Sequence, residues 1–155
     1  MSALTTTDRY CTFWVDGLFF GVEVSDVQEV LRYHEMTPVP RAPDSVFGLI
    51  NLRGQIVTAV DLRCRIGLPP RADGDLPMNV IVRSRGEVVS LLVDDIGDVI
   101  DTGDLELEAV PANVPSVVQD VVTGVLALPD AVLLVLDADR AADVSVVPAT
   151  TGGTP

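Results

Sequence analysis

The amino-acid sequence predicts an all-β fold with short helical inserts, and three observations support this class. Valine supplies 27 of the 155 residues, and β-branched side chains favour extended backbone. β-rich runs of six to eight residues recur on either side of short turn dipeptides, which is the spacing of β-hairpins. No stretch keeps a helical period long enough for a long helix. A sandwich or barrel of short strands is therefore expected.

The first predicted hairpin joins strands at residues 10–15 and 18–24 through Asp16-Gly17, a dipeptide typical of two-residue turns. A short helix is expected next, because Ser25 is followed three residues later by Gln28, which is the spacing of a capping box. The apolar face of that helix would consist of Val27, Val30 and Leu31.

Three more hairpins are predicted further along the chain. Their turns are Arg53-Gly54, Arg85-Gly86 and Pro129-Asp130, each between two β-rich runs. The predicted strands lie at residues 47–52 and 55–62, 78–84 and 87–93, and 121–128 and 132–137.

The segments outside the hairpins carry weaker strand signals. Residues 68–77 contain three prolines and a glycine, which makes them the clearest internal boundary. Residues 101–120 are acidic and are expected to form a loop with short strand pieces, and residues 137–144 a helical turn. Residues 1–8 and 147–155 are expected to be flexible tails.

One stretch of the sequence repeats without gaps at an offset of 32 residues. Arg53-Gly54-Gln55-Ile56-Val57-Thr58 aligns with Arg85-Gly86-Glu87-Val88-Val89-Ser90. Two interpretations are open: two β-hairpins that both turn at glycine, or two related small β-barrels. The sequence alone does not decide between them.

The charged residues are acidic in balance and unevenly distributed. Ten arginines and no lysine stand against 23 acids, which gives a formal net charge of -13. Residues 1–85 carry a net charge of -1 and residues 86–155 a net charge of -12. Such an acidic chain repels phosphate, so nucleic acid is not an expected partner. The asymmetry predicts two halves with different surfaces.

The sequence carries no signal for export or for membrane insertion. The longest purely apolar run, residues 131–136, has six residues, whereas a spanning helix needs roughly 20. The N-terminus lacks the apolar core of a secretory signal. Cys11 and Cys64 are the two cysteines, and without export they are expected to be reduced. We expect a cytoplasmic protein with no direct membrane insertion.

The residues that could carry catalysis do not combine into a recognisable site. His34 is the single histidine, which removes support for a histidine metal cluster or a Ser-His-Asp arrangement. Cys64 lies between two arginines, which could lower the pKa of its thiol, although core packing is the favoured role of cysteine here.

A cluster of aspartates offers oxygen ligands for a hard cation. Its spacing does not match a calcium-binding loop, and an exposed acidic edge that discourages strand pairing is favoured. We therefore predict a binding or scaffolding protein with no catalytic residues, no metal and no cofactor. The cluster consists of Asp94, Asp95, Asp98, Asp101 and Asp104.

Several short motifs follow one another in a definite order. The first are Val24-x-x-Val27-Gln28-Glu29-Val30, Pro38-Val39-Pro40-x-Ala42-Pro43 and Gly48-Leu49-Ile50-Asn51-Leu52-Arg53-Gly54. They continue with Ile56-Val57-x-x-Val60-Asp61-Leu62-Arg63, Leu92-Val93-Asp94, Asp98-Val99, Thr123-Gly124 and residues 133–137. Together they resemble the CheW family of bacterial chemotaxis coupling proteins.

The resemblance implies a fold and a role. The implied fold is two five-stranded, SH3-like β-barrels packed around a shared hydrophobic core, in a single CheW-like domain at residues 9–144. Approximate subdomains would lie at 9–67 and 78–144 with a linker at 68–77, and terminal strands could cross between the barrels. The implied role is a non-enzymatic adaptor that couples chemoreceptor cytoplasmic tips to the regulatory domain of a CheA-type histidine kinase, recruited to membrane-associated receptor arrays.

The resemblance also assigns roles to individual residues. Glu29 and Arg53 are expected to pair and hold a hairpin tip, and Val27 is either an apolar knob for a receptor helix or a core residue. Positions implied in receptor or kinase binding are Val27, Glu29, Arg53, Asn79, Ile96 and Val99. Positions expected to shape the turn are Gly48, Asn51 and Gly54.

Two residues depart from the family pattern, and two other functions stay open. Ser90 stands where the family commonly has glycine, and Asn79 where an apolar residue is usual, so both are expected to alter local packing or partner preference. One alternative function is a coupling protein of a related pathway, such as surface motility or cyclic-nucleotide signalling. The other is a metal-dependent enzyme that uses the aspartate cluster.

Overall fold

The structure, a computed structural model, describes residues 9–144, so the predicted tails at 1–8 and 147–155 lie outside the described residues. Its ten strands are β1 (Arg9–Val15), β2 (Leu18–Glu23), β3 (Val27–Leu31), β4 (Val46–Leu52), β5 (Gln55–Asp61), β6 (Met78–Ser84), β7 (Glu87–Val93), β8 (Asp95–Asp101), β9 (Val122–Ala127) and β10 (Val132–Leu136). The helices are α1 (Leu62–Arg65), α2 (Ser116–Gln119) and α3 (Ala138–Ala142), with one 3-10 turn at Val24–Asp26. The predicted all-β class with short helices is confirmed.

The strands form two five-stranded sheets that share one arrangement. Sheet A has the order β8-β1-β2-β10-β9, and sheet B has the order β3-β6-β7-β5-β4. In each sheet two antiparallel hairpins lie side by side through one parallel pair, β2 with β10 and β7 with β5. The fifth strand pairs antiparallel with the outer strand of one hairpin. In sheet A this is β8 with β1, and in sheet B it is β3 with β6.

The sheets do not divide at the proline-rich segment 68–77. Sheet B is built from β3 to β7, on both sides of that segment, whereas sheet A takes β1 and β2 from the start of the chain and the rest from its end. The predicted subdomain bounds of 9–67 and 78–144 therefore do not match the sheets. The reason is physical: proline and glycine mark where a strand ends, but they carry no information about which distant strand it pairs with.

A shared apolar core holds the two sheets together. Phe13 and Phe20 of sheet A stack with their ring centroids 5.9 Å apart, and they join Val82 and Leu91 of sheet B in one buried cluster. Burial of this much aliphatic and aromatic surface is the main stabilising contribution to the fold.

Each sheet also has its own smaller interior on the face away from the shared core. In sheet A, Ile100 of β8 packs against the cluster that contains Leu126 of β9. In sheet B, Leu31 of β3 packs against the cluster that contains Leu52 of β4. These pairs of strands lie at opposite ends of the strand orders. Each sheet is therefore curled, so that side chains of its two end strands share one interior.

The glycine hairpins form as the sequence predicts. Both turn residues have positive φ at Asp16-Gly17, Arg53-Gly54 and Arg85-Gly86, which is the conformation of type I′ turns. The repeat at an offset of 32 residues corresponds to the β4–β5 and β6–β7 hairpins, and these are neighbours in sheet B. The repeat therefore reflects two similar hairpins and does not relate one sheet to the other.

The predicted helix after Ser25 is wrong. Residues Val24–Asp26 form only a 3-10 turn, and Val27–Leu31 is strand β3, paired with β6. The capping-box spacing is a local signal, and the hydrogen bonds to β6 outweigh it, helped by the β-branched residues of this segment. Within residues 9–144, no helix is both long enough and apolar enough to cross a membrane.

Candidate interaction surfaces

The β4–β5 turn carries an ion pair that is mostly exposed on its arginine side. The Arg53 guanidinium donates a hydrogen bond to the Glu29 carboxylate on β3. The side chain of Arg53 is 64% exposed and that of Glu29 is 23% exposed. Asn51 holds the turn, because its Oδ1 accepts a hydrogen bond from the Gly54 amide at 3.0 Å. We call these residues, Glu29, Asn51, Arg53 and Gly54, the Arg53 corner.

The Arg53 corner joins the two end strands of sheet B. β3 and β4 lie at opposite ends of the strand order, yet Glu29 of β3 reaches the turn that follows β4. The expected pairing of Glu29 with Arg53 is therefore present in the structure. An exposed ion pair of this kind contributes only about 0–1 kcal/mol to stability. Its geometry therefore matters more for what the corner presents to a partner than for the fold.

Apolar side chains lie on the outward face beside the corner. Ile56 pairs in register with Asn51 and is 60% exposed, and Phe47 further along β4 is also exposed. Residues directly opposite in an antiparallel pair lie on the same face. The corner therefore combines an arginine with an apolar neighbour, a combination common in protein–protein contacts.

Gly48 and Gly54 shape this region for different reasons. A Cβ at Gly48 would lie 2.7 Å from the carbonyl oxygen of Thr37, so only glycine lets the segment after β3 approach β4 this closely. Gly54 faces open space, but its φ of +86° is one that side-chain-bearing residues rarely adopt.

Val27 packs inward rather than outward. It is half-buried and lies against the shared core, which favours the core-packing interpretation over the apolar knob. The exposed apolar residue of β3 is Val30, three residues further along the strand, at 38%.

Asn79, for which the resemblance predicts a partner contact, points into the interior of sheet B. Its side chain is fully buried, as is that of Ser90, so it offers no exposed surface in this structure. Ser90 Oγ donates a hydrogen bond to Asn79 Oδ1 at 2.8 Å, and Asn79 Nδ2 donates to the Arg32 carbonyl at 3.0 Å. The two departures from the family pattern are thus hydrogen-bonded to each other.

Ile96 and Val99 lie on β8, at the edge of sheet A. Val99 is 51% exposed, whereas Ile96 is half-buried against the shared core. The aspartates of β8 at positions 95, 98 and 101 are exposed along the same edge. This placement agrees with the favoured interpretation of the acidic cluster as a charged strand edge. Val99 is the residue of this pair that can reach a partner, and it lies on a different sheet from the Arg53 corner.

A network of two arginines and three aspartates, which the sequence did not reveal, lies where the two sheets meet. Asp94 accepts hydrogen bonds from Arg63 Nη2 at 2.7 Å, from Arg71 Nε at 3.0 Å and from the Asp16 amide at 2.7 Å. Arg71 Nη2 also donates to Asp61 Oδ1 at 3.1 Å. The only sequence signal was the presence of Asp61-x-Arg63 and Asp94 in the family motifs; Arg71, in the proline-rich segment, had none.

The network perturbs the ionisation of its members. Burial by itself raises the pKa of Asp94, but the hydrogen bonds from Arg63 and the Asp16 amide, with the charges of Arg63 and Arg71, lower it below its usual value. The hydrogen bond to Asp94 in turn raises the pKa of Arg63, against an opposing effect of burial. The carboxylate is therefore held ionised between two cations.

The expectation that neighbouring arginines lower the pKa of the Cys64 thiol is wrong. Burial raises its pKa, and the charges of Asp61 and Asp44 raise it further. The flanking arginines point elsewhere, Arg63 to Asp94 and Arg65 to the Arg140 carbonyl at 2.9 Å. Burial also raises the pKa of Cys11, which packs against the shared core.

The carboxylates of the described chain do not come together as a metal site. No group of three or more histidine, cysteine, aspartate or glutamate side chains in residues 9–144 is arranged to hold an ion. A cleft of about 210 Å³ does collect Glu23, Asp26, Asp137 and Asp139. Burial raises the pKa of Glu23, and repulsion by the charge of Asp26 raises it further.

Comparison with known proteins places the chain among chemotaxis proteins. The CheW-like domain family matches residues 9–145. The chain is 28% identical over 140 residues to chemotaxis protein CheW of Bacillus subtilis strain 168, covering 90% of each protein. It is 28% identical over 127 residues to chemotaxis protein CheW of Rhizobium meliloti strain 1021, covering 82% of each. Its structure is similar to that of the scaffolding protein TtCheW from Thermoanaerobacter tengcongensis, with a TM-score of 0.78, 26% identity, and coverage of 88% and 92%.

Two packed sheets with exposed candidate binding residues on each are typical of a scaffold protein, which binds its partners through its surface. The chain belongs to the CheW-like domain family, as its motifs indicated. It is a chemotaxis coupling adaptor.

Proposed function

We propose that this adaptor links the cytoplasmic tips of chemoreceptors to the regulatory domain of a CheA-type histidine kinase, at membrane-associated receptor arrays in the cytoplasm. The observation that carries the proposal is the Arg53 corner, where an exposed arginine is held by Glu29 on a neighbouring strand. Both residues stand at positions that the family resemblance assigns to partner contacts.

The corner is suited to a helical partner. One Nη atom of Arg53 pairs with Glu29, while a guanidinium has five N–H donors in all. The others can donate to carboxylates or to the carbonyl oxygens at a helix end. The ion pair and the type I′ turn hold the arginine before binding, which lowers the entropic cost of association. Ile56 beside it supplies exposed apolar area.

A bridging role requires two separate surfaces, and the exposed candidate residues lie on two sheets. The Arg53 corner belongs to sheet B, and Val99 to the edge of sheet A. We propose that the two surfaces engage different partners at the same time. We also propose that the protein catalyses nothing. In support, the carboxylate of Asp94 in the aspartate cluster accepts hydrogen bonds from two arginines and is therefore engaged in structural ion pairs.

The test is the affinity of the protein for a receptor cytoplasmic fragment, measured by fluorescence anisotropy. We expect Arg53→Glu to weaken binding by at least about tenfold, because arginine is enriched among interface hot spots, whose truncation costs about 2 kcal/mol or more. Arg85→Glu is the matched control. Arg85 stands in a turn of the same conformation in the same sheet, it is 67% exposed, and its reversal changes the net charge equally.

A charge swap separates binding from structural support. In Glu29→Arg with Arg53→Glu the ion pair can re-form with its direction reversed. If the pair only braces the turn, the double variant binds like the wild type. We expect it to bind as weakly as Arg53→Glu, because the partner meets an acid where the arginine stood. Equal affinities for Arg53→Glu, Arg85→Glu and wild type would contradict the proposal.

A further inference from the structure

The side chains of Asn79 and Ser90 form a buried polar pair inside sheet B. Asn79 lies on β6 and Ser90 on β7, and both are 0% exposed. Apolar clusters fill the same interior. One cluster contains Ile50, Ala59 and Leu92, and another contains Leu52, Val57 and Ile81. A polar pair in such surroundings persists only when its hydrogen-bonding groups find partners.

The hydrogen bonds of the pair run in one direction. The Arg32 carbonyl accepts at 3.0 Å, so the atom of Asn79 that faces it must be the amide nitrogen. The amide oxygen then faces Ser90 and accepts the hydroxyl proton at 2.8 Å. Removal of either side chain therefore leaves a buried group without its partner.

The series of hydrogen bonds from Ser90 through Asn79 ends at Arg32, where β3 leaves the sheet. Leu31, the last residue of β3, pairs with Asn79 in register, and Arg32 is the first residue beyond the strand. The segment that follows returns to the sheet at Thr37, whose amide and carbonyl bond to Leu49 on β4 at 2.9 and 2.8 Å. Glu29 of the Arg53 corner lies only two residues before Leu31.

The equivalent place in sheet A has no such pair. Counted from the turns Asp16-Gly17 and Arg85-Gly86, Gly21 corresponds to Ser90 and Tyr10 to Asn79. A Cβ at Gly21 would lie 3.0 Å from the methyl groups of Leu133, so apolar side chains fill this space. The shared arrangement of strands thus does not require a polar pair, and sheet B has one in addition.

We propose that Asn79 and Ser90 act as one positioning unit for the Arg53 corner. Through the Arg32 carbonyl they fix the end of β3, and with it the distance between Glu29 and the β4–β5 turn. The two residues therefore function together, and each departure from the family pattern compensates the other. The link to partner binding rests on the proposed function, whereas the positioning itself does not.

The test uses Asn79→Val, Ser90→Gly and the double variant, with amide hydrogen exchange as the readout. We expect exchange at the Thr37 and Leu49 amides to accelerate about tenfold or more in both variants that lack Asn79. In these variants the Arg32 carbonyl loses its buried donor and keeps only the longer, exposed contact with His34 Nδ1 at 3.3 Å. Amides of sheet A serve as the internal control and should change less. Ser90→Ala, which removes only the hydroxyl, provides a milder variant if the others fold poorly.

Urea denaturation of the same set tests whether the pair acts as a unit. Each single variant should lower the free energy of unfolding. We expect the double variant to lower it by less than the sum of the two single decreases. Additive effects would overturn the coupling, and equal exchange changes in both sheets would overturn the positioning role.

Binding separates this inference from the proposed function. If the proposed function holds, the double variant should bind the receptor fragment more weakly than wild type, even at a temperature at which both proteins are fully folded. Wild-type affinity of the double variant would overturn the link to the corner. If wild type itself does not bind, the proposed function fails, while the exchange and denaturation results still decide whether the pair positions β3.

Discussion

The two sheets have the same arrangement of strands but differ in charge. The segments that form sheet A, residues 9–23 and 94–144, carry 14 acids against two arginines, a net charge of -12. The segment that contains sheet B, residues 24–93, carries eight acids against eight arginines and is neutral. The asymmetry between the two halves of the sequence is thus an asymmetry between the two sheets.

The interiors of the sheets differ as well. Sheet A encloses one apolar cluster, with glycine at position 21, whereas sheet B encloses a hydrogen-bonded Asn79–Ser90 pair between two smaller clusters. One strand arrangement therefore tolerates different surfaces and interiors, and the shared core holds the two together. The Arg53 corner lies on the neutral sheet, where a guanidinium is less screened by surrounding carboxylates.

The largest expected effect tests whether the sheets depend on a common core. Phe20 is fully buried and stacks on Phe13, so Phe20→Ala should lower the free energy of unfolding by about 3–5 kcal/mol. Amides in sheet B should lose protection together with those in sheet A, in a single urea transition. Ile56→Ala, at an exposed site, should change stability by less than about 0.5 kcal/mol. Loss of protection confined to sheet A would show that the sheets fold separately.

A smaller effect is expected at the network between the sheets. Asp94→Asn removes a carboxylate that accepts hydrogen bonds from Arg63, Arg71 and the Asp16 amide, which should cost about 1–2 kcal/mol given its partial exposure. The exposed Asp98→Asn on β8 is the control and should be nearly neutral.

The effect of Asp94→Asn should also depend on pH. Because the folded-state pKa of Asp94 is lowered, its contribution is fully present above the ordinary aspartate pKa, about 4, and is lost as the pH falls through the lower folded value. The difference between wild type and variant should therefore shrink between about pH 5 and pH 2. A difference in midpoint that stays constant over this range would rule out the ion pairs as its origin.

The smallest expected effect lies in the acidic cleft of sheet A. The folded-state pKa of Glu23 is raised, so its ionised form opposes folding and stability falls as the pH rises through that pKa. Glu23→Gln should slightly stabilise the protein at pH 7, and the gain should vanish at lower pH, where both side chains are neutral. Urea midpoints at the two pH values measure this, with the exposed Glu87→Gln as the control. A loss of stability at pH 7 would contradict the expected repulsion.

Local sequence signals predicted most of the strands and could not predict how they assemble. The dipeptides at Asp16, Arg53 and Arg85 identify hairpins because type I′ turns require positive φ at both positions. The segment Val27–Leu31 was predicted as helix and is a strand, because its pairing with β6 is a tertiary effect that the local sequence does not show. The partition into sheets depends on contacts between distant segments, about which no local pattern carries information.

The candidate site was predictable only in part, for related reasons. The family motifs identified Glu29 and Arg53, and the structure shows them paired. The family resemblance also suggested Asn79 as a contact, but a matched position does not reveal which face of a strand its side chain occupies. Arg71 could not be found, because it acts from an irregular segment whose path follows from the fold.

The central claim is that the protein bridges two partners, and co-sedimentation tests it most directly. A receptor cytoplasmic fragment on vesicles is incubated with a CheA-type kinase, with and without this protein. We expect the kinase to sediment with the receptor only when the wild-type protein is present, and retention to fall sharply with Arg53→Glu but not with Arg85→Glu. Failure of the kinase to sediment with the receptor in the presence of the wild-type protein, or equal retention of the kinase with Arg53→Glu, would contradict the proposed bridging.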